Sequence, residues 1–514
     1  MGVEKEEKIR EMKQNDWKII YTKYEGVQKR AVEFLSKEVG KWLVRETGQY
    51  RIYVLPCEKD GVEIEQNAIV IGLYEESATV KQFVSESEIP DGGFLIKACK
   101  REVDNGDRIV VITAHDEAEL FYGAVSFVDD FVHDNIFTGS NALRMSEQIF
   151  DRPMRAVSFS EKPNFATRSV FTWGHPINNY FEYIENMARL KLNQLIIWND
   201  FVPLNAREVI EYAHSYGIEV LYGYAWGWQE HCCEVLDISD ATLKKLQEQI
   251  VKEYETQYAP LGCDGIYFQS FTERGDEYIG GRLIAEAVTT LVNNTARELF
   301  ERYPTLKLQF GLHSSSVENR LEEIAKVDKR IEILWEDCAR TLKFHSKIKE
   351  GKEVGWWEDR GAFPYSYLPS DIDEDKIQQS IEITKKILAL RGDAPVGIVL
   401  KGAMTLDWGK FVSQRGPFVM GANAKEICEH DRMVRESGWR EFSADWMQYG
   451  EYAQKLLECI KENAVGPVNI CLAGTFDGGV YFPQAVASQM LRTFDEDYGK
   501  TMKRVARRGY VKLG

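Results

Sequence analysis

The chain has 514 residues, 44% of them hydrophobic and 28% charged, a balance that excludes disordered, collagen-like and fibrous classes and suits two or three globular domains. Lys+Arg of 64 against Asp+Glu of 81 leaves a net charge of −17, a field that opposes nucleic acid and anionic membranes as partners. In chain order, the N-terminal MGVEKEEKIREMKQNDWKII is charged and lacks an apolar leader, and Gly2 lacks the downstream Ser/Thr of a myristoylation signal. No run of roughly 18 apolar residues follows anywhere. The expected compartment is therefore the cytoplasm. The first 150 residues alternate short β-branched runs (RIYVLP, NAIVIGL, RIVVITA) with helical spacing, clearest in AELFYGAVSFVDDFV, and predict a small α/β domain over 1–150. Pro153 and Pro163 sit in a stretch without periodicity, where the domain boundary is placed.

From Ser169 a different pattern repeats. Short apolar runs ending in aromatic and polar residues are each followed by an amphipathic helix. The strands read SVFTWGH, LNQLIIWND, IEVLYGYAWGW, GIYFQSFTE, LKLQFGLH, IEILWED and VGIVLKGAMTLD, with NICLAGTFDGG the least certain, an eighth. Seven or eight such units in about 300 residues predict a (β/α)8 TIM barrel over 165–437, preceded by the α/β domain. Residues 438–514 read as a helical C-terminal region that closes or caps the barrel, with GWREFSADWMQYGEYAQKLLECIKENA its clearest stretch. No G-x-G-x-x-G or G-x-x-x-x-G-K-[ST] follows any strand, and no H-x-H or H-E-x-x-H occurs among the eight histidines, so neither a cofactor nor a metal is expected. Nine scattered cysteines without a C-x-x-C pair read as reduced packing thiols, Cys232 and Cys233 beside His231 included.

Barrel enzymes act at the C-terminal ends of their strands, so residues at those positions are the candidates. They are Trp173 and His175; Trp198, Asn199 and Asp200; Trp226, Trp228 and His231; Glu273; His313; Trp335, Glu336 and Asp337; and Asp407. Carboxylates on facing strands are what glycosidic hydrolysis needs, one as acid to the leaving oxygen and one as base or nucleophile, while Trp and Tyr rings stack on sugars. Each residue also has a plainer reading: the tryptophans as packing, His175 and His313 as core histidines, Asp200 as a helix N-terminal residue, and Asp407 as a turn residue. Trp356–Asp359, WWED, reads as an aromatic loop over the pocket or a packed flap.

DRIVVITAHDEAELFYGAVSFVDDFV, with its Tyr122-Gly123 pair, resembles the end of the small α/β domain that precedes the barrel in α-glucuronidases of glycoside hydrolase family 67 and β-hexosaminidases of family 20. MARLKLNQLIIWNDF, a helix, and SYGIEVLYGYAW are similar to the second and third units of the α-glucuronidase barrel. The resemblance implies a glutamate after the fourth strand as general acid, which is Glu273. It implies partner carboxylates at the sixth and seventh strand ends, Glu336 or Asp337 and Asp407. Family 20 places an Asp before that glutamate, where this chain has Thr272.

The function expected is thus a glycosidase acting on oligosaccharides, α-glucuronidase-like, with Glu273, Glu336, Asp337 and Asp407 catalytic. Trp173, His175, Trp198, Asn199, Trp226, Trp228, His313, Trp335, Lys401 and Arg415 are the expected substrate contacts. Arg274, Arg340, Lys401 and Arg415 are candidates to hold a substrate carboxylate. An N-acetylhexosaminidase-like enzyme and a catalytically inactive carbohydrate-binding barrel are the alternatives. The expected partners are the oligosaccharide and a second copy in a homodimer, with no nucleic acid and no membrane.

Overall fold

The structure is a computed structural model that describes residues 17–47, 52–56, 68–100, 108–132, 157–172, 177, 179–198, 202–227, 236–274, 276–336, 347–349, 352–354, 365–366, 374–400, 405–406, 450–473, 479–494 and 497–512. The chain divides into two compact units, the first made of residues 1–164, 215–217 and 499–511, the second of 165–214, 218–498 and 512–514.

The first unit is built on a six-stranded sheet in the order β2-β1-β3-β5-β4-β6. Its strands are β1 (Trp17–Tyr21), β2 (Ile52–Pro56), β3 (Ala68–Ile71), β4 (Phe94–Lys100), β5 (Arg108–Ala114) and β6 (Val157–Glu161). The first four in that order pair in parallel, while β4 runs antiparallel to both β5 and β6. Helix α1 (Gly26–Thr47) and α2 (Glu117–Ser126) belong to the same unit. Asp116 caps α2 by accepting from the Glu119 backbone N–H at 2.8 Å. Gly123 in α2 has a steric cause: a Cβ there would meet Ile112 of β5 and the Phe94 ring of β4, so the helix approaches the sheet closely only without a side chain.

A buried ionic cluster holds the C-terminal segment of this unit. Arg504 grips Asp130 bidentately at 2.9 and 2.5 Å and lies 3.4 Å from Glu161, while the Tyr510 hydroxyl donates to Asp129 at 2.9 Å. Burial works against the Arg504 charge, but Asp130 and Glu161 more than offset it and raise its pKa.

The second unit is a (β/α)8 barrel. Eight parallel strands close on themselves: β7 (Thr167–Phe171), β8 (Gln194–Trp198), β9 (Glu219–Ala225), β10 (Gly265–Gln269), β11 (Lys307–Leu312), β12 (Ile331–Trp335), β13 (Val396–Leu400) and β14 (Val468–Ala473). A helix follows each in turn: α3 (Tyr180–Arg189), α4 (Ala206–His214), α5 (Asp240–Glu253), α6 (Ile284–Arg302), α7 (Ser314–Ile324), α8 (Glu374–Arg391), α9 (450–463) and α10 (Phe482–Arg492). The eighth strand, least certain in the sequence, pairs with both β13 and β7 and closes the ring. The barrel therefore extends past residue 437, into the region whose predicted character was helical. Strand sequences such as QLIIW and GIYFQ are buried through nearly every position, as expected for parallel strands covered by helices. Among the described residues no helix is long and apolar enough to cross a membrane.

Candidate active site

The fourth, fifth and sixth strands bring four polar side chains together where the strands end. Tyr267 and Gln269 lie two apart on β10 and share a face, as strand alternation requires. His313 follows β11, and Glu336 follows β12, where its backbone N–H continues the ladder by donating to Leu312 at 2.9 Å. The Gln269 amide nitrogen donates to Glu336 Oε1 at 2.7 Å and to the Tyr267 hydroxyl at 2.9 Å. His313 Nε2 lies 3.0 Å from Glu336 Oε2 and 3.4 Å from the Gln269 amide nitrogen.

Glu336 is 0% exposed, whereas the His313 side chain is 25% exposed and forms the open side of the group. A carboxyl group so deep needs partners for its oxygens, and the Gln269 amide supplies one to Oε1 while the imidazole stands beside Oε2. Gly311 makes the space: a Cβ there would overlap both the Tyr267 hydroxyl and Glu336 Oε1. Below the group, Tyr267 packs on Phe171, with ring centroids 4.5 Å apart, and against the edge of Trp198 at 5.6 Å. Trp198 remains partly exposed.

Glu273 ends the short 3-10 turn Phe271–Glu273 that immediately follows β10, after the buried Phe271 and Thr272. Two expected contacts are corrected. Trp226 is fully buried and stacks on Phe268, with centroids 3.8 Å apart and planes 11° from parallel, and Phe268 stacks in turn on Phe310. Trp335 is 2% exposed. Neither ring presents a face to a ligand; both are packing residues. Trp173, His175, Asn199, Trp228, Asp337, Lys401, Asp407 and Arg415 lie outside the described residues, as do Asp200, His231, Arg340 and the WWED run.

Reasoning from strand ends missed Tyr267 and Gln269. Their signal was available, because they occupy alternate positions on the strand that leads to Glu273. It also missed a second, half-buried carboxylate on β12. Glu332 lies near the start of that strand, and its Oε1 accepts from Gln309 at 3.1 Å and Asn469 at 2.9 Å. Both amides also donate to Gln194 Oε1, at 2.7 and 3.1 Å, and Ser169 donates to Asn469 Oδ1 at 2.8 Å. Burial pushes the Glu332 carboxyl up to about 7 against the pull of Asn469 and Gln309. This layer lies at the end where the strands begin, whereas Glu336 lies beyond the other end of the same strand, the end at which barrel enzymes carry their active sites.

No protein family model matches the chain, and no curated protein matches its sequence. Solved structures do match, with low identity. The chain is similar to the family 20 β-N-acetylhexosaminidase from Streptomyces coelicolor A3(2), at 12% identity and a TM-score of 0.49 over 95% of this chain and 90% of that one. It is similar to the family 20 exo-β-N-acetylglucosaminidase from Vibrio harveyi, at 11% identity and a TM-score of 0.43 over 96% and 74%. A family 89 glycoside hydrolase from Clostridium perfringens matches at 12% identity and a TM-score of 0.43, covering 93% of this chain and 51% of that one. At these scores no residue role passes from those proteins to this one.

Proposed function

We propose that the protein is a glycosidase that hydrolyses an O-glycosidic bond of an oligosaccharide through a pair of carboxyl groups. The observation that carries this reading is Glu336: a wholly buried carboxylate at the sixth strand end, seated between Gln269 and His313 on the side of the barrel where the fourth strand leads into Glu273. Glu273 protonates the departing glycosidic oxygen as the bond to the anomeric carbon breaks. Glu336, with Asp337 or Asp407, carries the opposite function, taking a proton from the attacking water or bonding to the anomeric carbon itself. Carboxyl groups about 6.5–9.5 Å apart would invert the anomeric centre, and about 5–5.5 Å apart would retain it. Trp198 and His313 line the sugar's approach.

For the substrate we favour a glucuronide, on the resemblance of the α/β domain and the first barrel units to α-glucuronidases. Thr272, buried where family 20 enzymes place an Asp, weighs against hexosaminidase chemistry. Of the basic residues offered for a substrate carboxylate, Arg274 is engaged with Asp276 at 2.9 Å, which leaves Arg340, Lys401 and Arg415 as the candidates.

The test is a screen of the purified protein on aryl glucuronides, aldouronic acids and aryl N-acetylhexosaminides, with Glu273→Gln alongside. Loss of about 10²–10⁴ in kcat in the variant, at unchanged melting temperature, is expected. Wild-type turnover by Glu273→Gln removes the acid assignment. Sugar binding by calorimetry without hydrolysis replaces the enzyme with a carbohydrate-binding barrel.

A further inference from the structure

Among the buried arginines described in the barrel unit, Arg168, Arg391 and Arg320 spend their guanidinium groups on backbone carbonyls. Arg168, 1% exposed, donates to Phe165, Ala166 and Lys191 at 2.8–2.9 Å. Arg391, 3% exposed, donates to Ala325, Val327, Asp328 and Ile331 at 2.7–3.2 Å. Those carbonyls lie in segments that lead into β7, β8 and β12, at the end of the barrel where strands begin and where fixed structure serves stability.

Arg320, from α7, is the third and acts at the opposite end. It is 7% exposed, and its Nη1 donates to the Thr272 carbonyl while Nη2 donates to Arg274 at 2.5 Å and Asp276 at 2.7 Å. Ser316, one helical turn earlier, adds a hydroxyl donor to the same Thr272 carbonyl at 3.2 Å. Side chains of α7, in the same barrel, thus grip this loop by its carbonyls. Burial costs the Arg320 charge and lowers its pKa, with Glu277 and Asp276 opposing. Three carbonyl dipoles contribute to the compensation.

We propose that Arg320 is the positioning residue for Glu273: by gathering the carbonyls on either side of that residue, it fixes the turn on which the acid stands. The proposal rests on the assignment of Glu273 as general acid. A rigid fork with parallel donors is suited to hold successive carbonyls at once, a task that an ammonium group performs poorly.

Leaving-group dependence separates positioning from mere stability. A phenolate poor as a leaving group needs a proton from the enzyme, whereas 2,4-dinitrophenolate departs without one. Full-length wild type, Arg320→Lys, Arg320→Met, Glu273→Gln and Arg391→Lys would be assayed on phenyl and 2,4-dinitrophenyl glycosides of glucuronic acid and N-acetylglucosamine. The expected result is that Arg320→Lys loses about 10²-fold in kcat/KM on the phenyl glycoside but less than about 5-fold on the dinitrophenyl one, as Glu273→Gln does. Arg391→Lys should lower melting temperature and leave the ratio of the two rates at the wild-type value. Equal losses on both glycosides in Arg320→Lys overturn the proposal, and the Lys variant decides even if Arg320→Met does not fold. Wild-type turnover of the phenyl glycoside by Glu273→Gln overturns the acid assignment, a result distinct from the Arg320 pattern. No hydrolysis by the wild type removes the function and the proposal together.

Discussion

Glu332 and Glu336 are four residues apart on one strand and its extension, the first half-buried and the second wholly buried, and their surroundings differ. Glu332 accepts from two amides, and burial pushes its carboxyl up to about 7. Because the folded state holds this proton more tightly than the unfolded chain does, it binds more protons between pH 4.5 and 7, and stability falls as pH rises through that window. The full effect is on the order of 3 kcal/mol, from a shift of 7 − 4.5 = 2.5 at 1.36 kcal/mol per pH unit. Glu332→Gln carries the neutral form at every pH, so its urea midpoint should stay flat where the wild type's declines toward pH 8. A parallel decline in both proteins would place the proton elsewhere.

The direction of a side chain at a strand end is decided by the strand's period of two, and that is where the sequence was read well and badly. Glu336 was legible because it ends an apolar run, IEILW, at the active end of a barrel. Trp335 precedes it by one residue and so faces the opposite way; the same parity turns Phe268 outward between Tyr267 and Gln269 and stacks Trp226 on it. Position at a strand end was weighed without that parity, which promoted two packing tryptophans and passed over Gln269. The strands themselves were legible as short β-branched runs at regular spacing, including the eighth. The carbonyl clamps of Arg168, Arg320 and Arg391 were not, since no periodicity marks a side chain that bonds to backbone in another element. Gln269→Leu tests the strand-end group: with its amide gone, Glu336 loses a donor at a buried site, costing about 1–3 kcal/mol in stability by denaturant unfolding, together with a fall in kcat. Unchanged kcat would detach Glu336 from the chemistry.

At the scale of the whole molecule, the path of the chain through its two units governs stability. Residues 499–511 belong with 1–164, and their hold is ionic and buried: Arg504 on Asp130 and Glu161, Tyr510 on Asp129. Breaking a buried pair costs more than forming it gains, because the surviving charge is left without compensation. Asp130→Ala should therefore lower stability by about 3–5 kcal/mol in urea titration and open the C-terminal segment to protease. An unchanged midpoint would mean that apolar contacts alone hold the segment. These partners stand more than 340 residues apart in sequence, a separation that no local pattern reveals.

That path also sets a timetable. At a synthesis rate of about 5–20 residues per second, the ribosome needs roughly 15–70 s after residue 164 before residue 499 is made, and the first unit waits through that interval for its last segment. The barrel waits nearly as long for Val468–Ala473 to close its ring. A nascent chain stalled before that strand leaves the ribosome with both units unfinished, its sheet edges and buried acids open to chaperones and proteases, so incomplete copies identify themselves for removal.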